Sequence, residues 1–91
     1  MKVDGGITPS LRDVPGVARE LEEVGYDGAW TAETAHDPFF PLVLAAEHSE
    51  KIELATSIAV GFARSPMILA NIGNDLQAYS KGRLVIGLGS Q

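Results

Sequence analysis

The chain has 91 residues, of which 45% are apolar, with ten glycines, five prolines and no cysteine. A chain this short forms at most one small domain, and without cysteine it has neither a disulfide framework nor a thiolate metal site. The formal charge of −5 and the scattering of the seven basic residues argue against a nucleic-acid partner, because phosphate neutralisation needs clustered Lys and Arg.

The longest apolar stretches span residues 39–46, 58–63 and 84–88. All of them are far shorter than the roughly 20 residues that cross a bilayer. The N-terminus also lacks a basic region followed by an apolar core, which is the pattern of a signal peptide. We therefore expect a cytoplasmic protein without a membrane partner.

Short apolar runs predict four β-strands, at residues 2–7, 28–33, 52–60 and 84–88. A stretch of helical period follows each of the first three runs. The first helix is predicted to be capped by Asp13, to tolerate Pro15 in its first turn and to end at Gly25. Its apolar positions recur at the 3.6-residue spacing of one buried stripe: Val14, Val17, Ala18, Leu21 and Val24.

The second and third helices are each predicted to begin with a capping residue followed by proline, at Asp37-Pro38 and Ser65-Pro66. The second helix, through residues 40–46, is apolar on most sides, so we expect it to be largely buried. The third helix carries its apolar residues at positions 68, 69, 72, 76 and 79, and we expect Gly82 to end it.

The order βαβαβαβ predicts an α/β fold with parallel strands and right-handed crossovers. Periodicity does not choose between an open doubly wound sheet and part of a closed barrel. A sheet that stops at the fourth strand has an apolar edge without a pairing strand, which is unfavourable in water. We therefore expect these residues to belong to a longer chain.

Ligands of parallel α/β folds bind in the loops that follow the carboxyl ends of the strands. The most polar of these loops follows the second strand, where Glu33, His36 and Asp37 lie within five residues. A carboxylate or an imidazole at that place can act as a general acid or base. Each residue also has a structural role open to it: a helix cap for Asp37, a hydrogen-bonded loop position for His36, and an ion-paired strand end for Glu33.

Two further patterns are weak indicators of a site. His36 and His48 are separated by a whole helix, so we predict no metal site. The Gly87-Leu88-Gly89 segment lacks the third glycine of a dinucleotide-binding fingerprint, and we expect these glycines to let the backbone approach a flat ligand.

Several segments are more specific than their periodicity requires. They are residues 22–30 (EEVGYDGAW), 35–39 (AHDPF), 52–60 (IELATSIAV), 64–67 (RSPM), 76–77 (LQ) and 81–89 (KGRLVIGLG). Together they resemble the luciferase-like monooxygenase superfamily, and within it most closely the coenzyme F420-dependent oxidoreductases. The resemblance covers nearly the whole chain and implies that residues 1–91 are the N-terminal half of a (β/α)8 TIM barrel, whose complete chains are roughly three times as long.

The resemblance further implies a coenzyme F420 site in the barrel mouth, with FMN as the alternative, and a small-molecule substrate beside it. In this family the third strand often ends in a bulge with a non-prolyl cis peptide that supports the cofactor ring, and the matching bond here is Ser57-Ile58. By the same resemblance Glu33 and His36 are the expected catalytic residues. The expected cofactor-binding residues are Thr34, Thr56, Ser57, Ile58, Gly89 and Ser90.

The activity implied by the resemblance is hydride transfer between F420 and an organic substrate, in which the complete protein orients the ring and supplies a proton donor or acceptor. An FMN-dependent monooxygenase on the same barrel is the close alternative. A non-catalytic half-barrel module that self-associates to close its open edges is an alternative of another class, and we expect a homo-oligomer. The 91 residues alone are expected to be inactive, because half of the mouth is missing.

Overall fold

The computed structural model describes residues 3–7, 10–34, 36–61 and 64–89. Strands and helices alternate along the chain in the predicted order. The elements are β1 (Asp4–Gly6), α1 (Val14–Val24), β2 (Gly28–Thr31), α2 (Phe39–Glu47), β3 (Glu53–Val60), α3 (Pro66–Tyr79) and β4 (Leu84–Gly89). Within the described residues, no helix combines the length and the apolar character needed to cross a bilayer.

The four strands form one parallel sheet in the order β1-β2-β3-β4. Each strand therefore lies beside its successor in the sequence. Right-handed crossovers between consecutive neighbours place every helix on the same face of the sheet, as in a (β/α)8 barrel. A doubly wound sheet instead reverses its strand order and has helices on both faces. The observed order therefore corresponds to half of a barrel and excludes the open sheet.

The core lies between the sheet and the three helices. Its buried apolar residues include Val14, Ala18, Ala29, Leu42, Ala45, Leu54 and Leu84. Successive side chains on a strand point to opposite faces, so the alternate positions lie on the face without helices. There Trp30, Ala55 and Val85 stand side by side in register across three strands, with Trp30 and Val85 40% and 50% exposed. This row is the concave wall of the half-barrel.

The start of α3 follows the prediction. The Ser65 hydroxyl accepts a hydrogen bond from the Ile68 N–H, and Pro66 occupies the first helical position. The end of α3 is a turn in which the Lys81 and Gly82 N–H groups donate to the Ala78 and Gln77 carbonyls, with left-handed φ angles of 59° and 83°. Gly82 thus lies in the terminating turn, three residues beyond the last helical residue.

The predicted capping role of Asp13 is wrong. Asp13 precedes α1 but its side chain makes no capping hydrogen bond, and its backbone is helical (φ −91°, ψ −14°) rather than extended. Its N–H already donates to the Ser10 carbonyl in the preceding turn, so the backbone does not adopt the conformation that a side-chain cap needs. The predicted end of α1 is confirmed: Gly25 has φ 102° and donates to the Leu21 carbonyl.

Asp37 does cap α2, but from one position further out than predicted. Its Oδ2 accepts hydrogen bonds from the Phe39 and Phe40 N–H groups, both 2.7 Å long. The helix begins at Phe39, so Pro38 is the flanking residue and not the first helical one. The prediction of a buried α2 holds for Leu42 and its neighbours, whereas the outer-face residues Phe40 and Val43 are 63% and 42% exposed.

Two charged side chains hold the amino-terminal ends of the strands. The Glu22 carboxylate accepts hydrogen bonds from three consecutive N–H groups that lead into β3, those of Glu50, Lys51 and Ile52. The Arg83 guanidinium, just before β4, donates to the Ser49 hydroxyl and to the backbone carbonyls of Ala46, Ser49, Ile52 and Ser80. Both residues therefore fasten the α2–β3 connection at this end.

Candidate functional site

The opposite, carboxyl-terminal end of the sheet contains an irregularity in β3. Thr56 pairs with Ile86 and Ala59 with Leu88, so β3 contains one residue more than β4 between these two pairs, which makes a β-bulge. The Ser57-Ile58 peptide inside the bulge is cis, as the resemblance implied. Thr56 is buried, and its hydroxyl accepts a hydrogen bond from the Gly87 N–H and donates one to the Gly87 carbonyl, both 2.9 Å long. Thr56 thus ties the base of the bulge to β4.

The two glycines of β4 make room for this bulge. A Cβ atom on Gly87 would lie 2.6 Å from the Thr56 carbonyl oxygen, and a Cβ atom on Gly89 would overlap the end of the Ile58 side chain. A side chain at Gly87 would displace the β3 backbone, whereas a side chain at Gly89 would require the Ile58 side chain to rotate away. Gly87 therefore serves the packing of β3 against β4, and the expectation that these glycines let the backbone approach a flat ligand stays a prediction.

Glu33 connects the end of β2 to the bulge through both its backbone and its side chain. Its N–H donates to the Ile58 carbonyl at 3.0 Å, and its Oε1 accepts from the Val60 N–H at 2.6 Å. β2 ends at Thr31, two residues earlier than predicted, because beyond it the chain follows the bulge instead of a regular ladder. Glu33 therefore holds β3 on both sides of residue 59.

Arg64, in the loop after β3, is the partner of Glu33. Its Nη1 and Nη2 donate to Glu33 Oε1 and Oε2 at 2.7 and 2.9 Å, and Nη2 also lies 3.1 Å from Asp37 Oδ1. The guanidinium carbon is 5.1 Å from the centroid of the Phe39 ring, at cation–π distance. The side chains of Arg64 and Glu33 are only 13% and 17% exposed. One guanidinium therefore joins the ends of β2 and β3 to the start of α2.

The electrostatics of this cluster favour the ionised carboxylate. Hydrogen bonds from the Arg64 guanidinium lower the pKa of Glu33, partial burial opposes the shift, and the Val60 N–H lowers the pKa further. The same pair raises the pKa of Arg64, again chiefly through the hydrogen bond to Glu33. Glu33 is thus a carboxylate at neutral pH, held by two charge-assisted hydrogen bonds from one guanidinium.

The other predicted site residues lie around this cluster. Ser57 and Ile58 are exposed on the bulge, and Gly89 is half-buried beside them. Thr34 is exposed and, with Trp30 and Asp37, lines a cavity of about 130 Å³ next to β2. His36 is exposed in the loop between Glu33 and α2. Ser90 lies outside the described residues.

Within the part of the chain that the structure describes, no group of three or more His, Asp or Glu side chains is arranged to hold a metal ion. His48 lies at the end of α2, where its Nδ1 is 2.8 Å from the Arg19 guanidinium. His36 precedes the start of the same helix, so the two histidines are at opposite ends of α2.

The model of the luciferase-like monooxygenase family matches residues 2–91. The chain belongs to the luciferase-like monooxygenase family. An uncharacterised protein of Mycobacterium tuberculosis (strain ATCC 25618 / H37Rv) is 59% identical over 91 residues, which are all of this chain and 27% of that protein. The F420-dependent glucose-6-phosphate dehydrogenase of Amycolatopsis mediterranei is 29% identical over 92 residues, covering 87% of this chain and 27% of the dehydrogenase. The chain thus spans about a quarter of the length of these relatives.

Solved structures of the luciferase-like family superpose on the whole half-barrel. The F420-dependent tetrahydromethanopterin reductase of Methanopyrus kandleri matches with a TM-score of 0.81 and 28% identity, over 98% of this chain and 27% of the reductase. The oxygenating constituent of a diketocamphane monooxygenase of Pseudomonas putida, in complex with FMN, matches with a TM-score of 0.89 at 19% identity, over 100% of this chain and 30% of that one. These matches confirm the predicted barrel architecture.

The residue that sequence reasoning missed is Arg64. Arg64 belongs to a segment that supports the family resemblance. No periodicity or spacing in the sequence, however, indicates that its partner is Glu33, 31 positions away. The available signal was indirect: an acidic residue at the end of an apolar strand requires a cation, and Arg64 is the first basic residue after the neighbouring strand.

Proposed function

We propose that the whole protein is an oxidoreductase that moves a hydride between coenzyme F420 and a small organic substrate. The carrying observation is the exposed bulge at the end of β3, which lies where parallel α/β folds bind ligands. Support for F420 comes from two family relatives that are F420-dependent by name, at 28% and 29% identity.

The residues at this end of the half-barrel fit a planar ring. Ile58 presents an apolar side chain that is 37% exposed, and Trp30 presents an indole on the concave wall. Ser57 is exposed beside Ile58 and offers a hydroxyl together with backbone polar groups. An apolar surface with a few convergent polar groups is the usual composition of a cofactor site.

When bound, F420 would supply the hydride chemistry, and the protein would supply binding, orientation and proton transfer. In this proposal Ser57 and Ile58 bind the ring, and Thr56 acts by holding the bulge in place. Thr34, Gly89 and Ser90 complete the contacts around the ring. Of the two residues expected to be catalytic, Glu33 is an ionised carboxylate paired with Arg64, and His36 is an exposed imidazole, a side chain that can donate or accept a proton.

An FMN-dependent monooxygenase is the second candidate. A flat apolar site of this kind also suits an isoalloxazine ring, and one of the matching structures is an FMN complex. That similarity, at 19% identity, supports the shared fold and not the choice of cofactor. The two candidates differ in which ring the whole protein binds.

The test is a titration of the full-length protein with F420 and, separately, with FMN, followed by ligand fluorescence. We expect tighter binding of F420, and we expect Ile58→Ala to weaken it by roughly tenfold, the effect of losing about 1.4 kcal/mol of apolar contact. Ile68→Ala is the matched control, since it removes the same atoms from a 51% exposed position on the outer helix α3. This control is expected to bind as the unaltered protein does.

The other outcomes are equally informative. A clear preference for FMN would transfer the proposal to the monooxygenase class. Failure to bind either ring would refute the oxidoreductase proposal, and a folded, cofactor-free oligomer would then support the self-associating module. We also propose that the whole protein is a homo-oligomer, which size-exclusion chromatography with light scattering measures directly.

A further inference from the structure

Arg64 connects three elements at the carboxyl-terminal end of the sheet: the ends of β2 and β3 and the start of α2. It grips the Glu33 carboxylate in a bidentate ion pair, contacts Asp37 Oδ1 and lies over the Phe39 ring. Asp37 in turn uses its second oxygen to cap α2. A displacement of the guanidinium would therefore disturb the ends of β2 and β3 and the start of α2 together.

Glu33 transmits this constraint to β3. Its Oε1 accepts hydrogen bonds from the Val60 N–H and from Arg64 Nη1, and its own N–H donates to the Ile58 carbonyl. Ile58 accepts the last of these bonds on its own carbonyl, lies two residues before Val60, and projects the apolar side chain that is proposed to support the ring. The position of Ile58 therefore depends on a carboxylate whose orientation is set by Arg64.

The same contacts leave Glu33 poorly suited to carrying protons. A carboxylate whose pKa is lowered by a guanidinium holds no proton to donate at neutral pH and is a weak base. Protonation would also break the charge-assisted bonds that keep the side chain in place. Both oxygens of Glu33 accept hydrogen bonds that fix the carboxylate beside the bulge. A residue that transfers protons must instead be free to change its charge.

We propose that Arg64 is a positioning residue, which holds Glu33 so that this carboxylate fixes the bulge of β3, and that Glu33 is not the group that exchanges protons with the substrate. The proposal rests on the proposed function in one respect, namely that the bulge supports the cofactor ring. The clamp itself, Arg64–Glu33–Val60, can be tested with or without a bound ring.

The first measurement is hydrogen–deuterium exchange in the ligand-free, full-length protein. Arg64→Met and the milder Glu33→Gln are expected to increase exchange in residues 57–61 while the peptides of α1 remain unchanged. Arg83→Met is the matched control, because Arg83 is bound by an equally dense set of contacts at the other end of the strands. If Arg83→Met increases exchange in residues 57–61 as much as Arg64→Met does, the effect is global destabilisation and the proposal fails.

The second measurement is a double-mutant cycle on ring affinity, with whichever of F420 or FMN the unaltered protein binds. Arg64→Met and Glu33→Gln are each expected to weaken binding by roughly tenfold, and the double variant is expected to be no weaker than Arg64→Met alone, because the two residues act as one unit. Additive losses would overturn the proposal. So would a Glu33→Gln variant that binds the ring normally, since that result is typical of a proton-transfer residue.

The third measurement is the pH dependence of the same affinity, taken as the ratio of variant to unaltered protein so that titration of the ligand cancels. Without the guanidinium the Glu33 pKa rises, so Arg64→Met is expected to lose further affinity as the pH falls from 7 to 5. Arg64→Lys retains a positive charge and is expected to remove most of this acid-dependent loss. A ratio that does not change with pH would contradict the proposal.

The two hypotheses fail separately. If neither ring binds the unaltered protein but Arg64→Met still loosens residues 57–61, the clamp stands and the proposed function falls. If a ring binds and Arg64→Met leaves both its affinity and the exchange unchanged, the proposed function stands and the clamp falls.

Discussion

The close approach of β3 to β4 makes Gly87→Ala the sharpest test of the structure. The added Cβ would lie 2.6 Å from the Thr56 carbonyl oxygen, whereas ordinary Cβ contacts begin at 3.4 Å, so one strand must move by about 0.8 Å. The obstacle is backbone, which has no alternative rotamer. Movement also strains the two 2.9 Å hydrogen bonds between the Thr56 hydroxyl and Gly87.

The expected cost follows from these two effects. Overpacking of a fixed site costs about 1–3 kcal/mol, and weakening two neutral hydrogen bonds adds about 1 kcal/mol. Gly87→Ala should therefore lower the free energy of unfolding of the full-length protein by about 2–4 kcal/mol. Gly16→Ala, in the exposed first turn of α1 with no atom outside the helix backbone within 4 Å of the new Cβ, should raise it by about 0.4–1 kcal/mol.

The assay is urea-induced unfolding followed by far-ultraviolet circular dichroism, with the two variants and the unaltered protein in parallel. The essential result is the difference in sign between two identical chemical changes. A Gly87→Ala variant as stable as the unaltered protein, or stabilised like Gly16→Ala, would refute the strand geometry on which the candidate site depends.

Two further predictions concern the amino-terminal ends of the strands. Glu22→Gln should destabilise the protein by about 1–2 kcal/mol at pH 7, because the carboxylate accepts the three N–H groups of residues 50–52. Although desolvation opposes the shift, those bonds lower the pKa of Glu22 in the folded state, so its contribution is present at neutral pH and is lost as the pH falls through that pKa. The unfolding midpoints of the variant and the unaltered protein should therefore converge as the pH falls below 4.5, the ordinary pKa of a glutamate, and a constant gap would contradict the assignment. Arg83→Met removes five donated hydrogen bonds, three of them to Ser49 and Ile52 in the α2–β3 connection, and should lower the free energy of unfolding by about 2–3 kcal/mol. Ring affinity should fall far less in Arg83→Met than in Arg64→Met, and equal losses would remove the distinction between the two ends of the sheet.

The local features of the chain could be predicted from the amino-acid sequence. Alternation of strands and helices follows from side-chain periodicity, and the capping roles of Ser65 and Asp37 follow from residues within three positions of each helix start. Asp13 shows the limit of that reasoning, because the preceding turn at Ser10 had already set its backbone. The cis peptide at Ser57-Ile58 was reached only through family resemblance, since nothing in its composition distinguishes it from an ordinary strand end.

What the amino-acid sequence determined by itself is therefore the set of elements, their order and the acidic character of the loop after β2. Tertiary structure alone decided that the strands lie in sequential order, which makes a half-barrel, and that Glu33 meets Arg64 across 31 positions. The physical reason is that periodicity and capping act within a few residues. The pairing of strands and the neutralisation of a buried charge depend instead on which distant segments the folded core brings into contact.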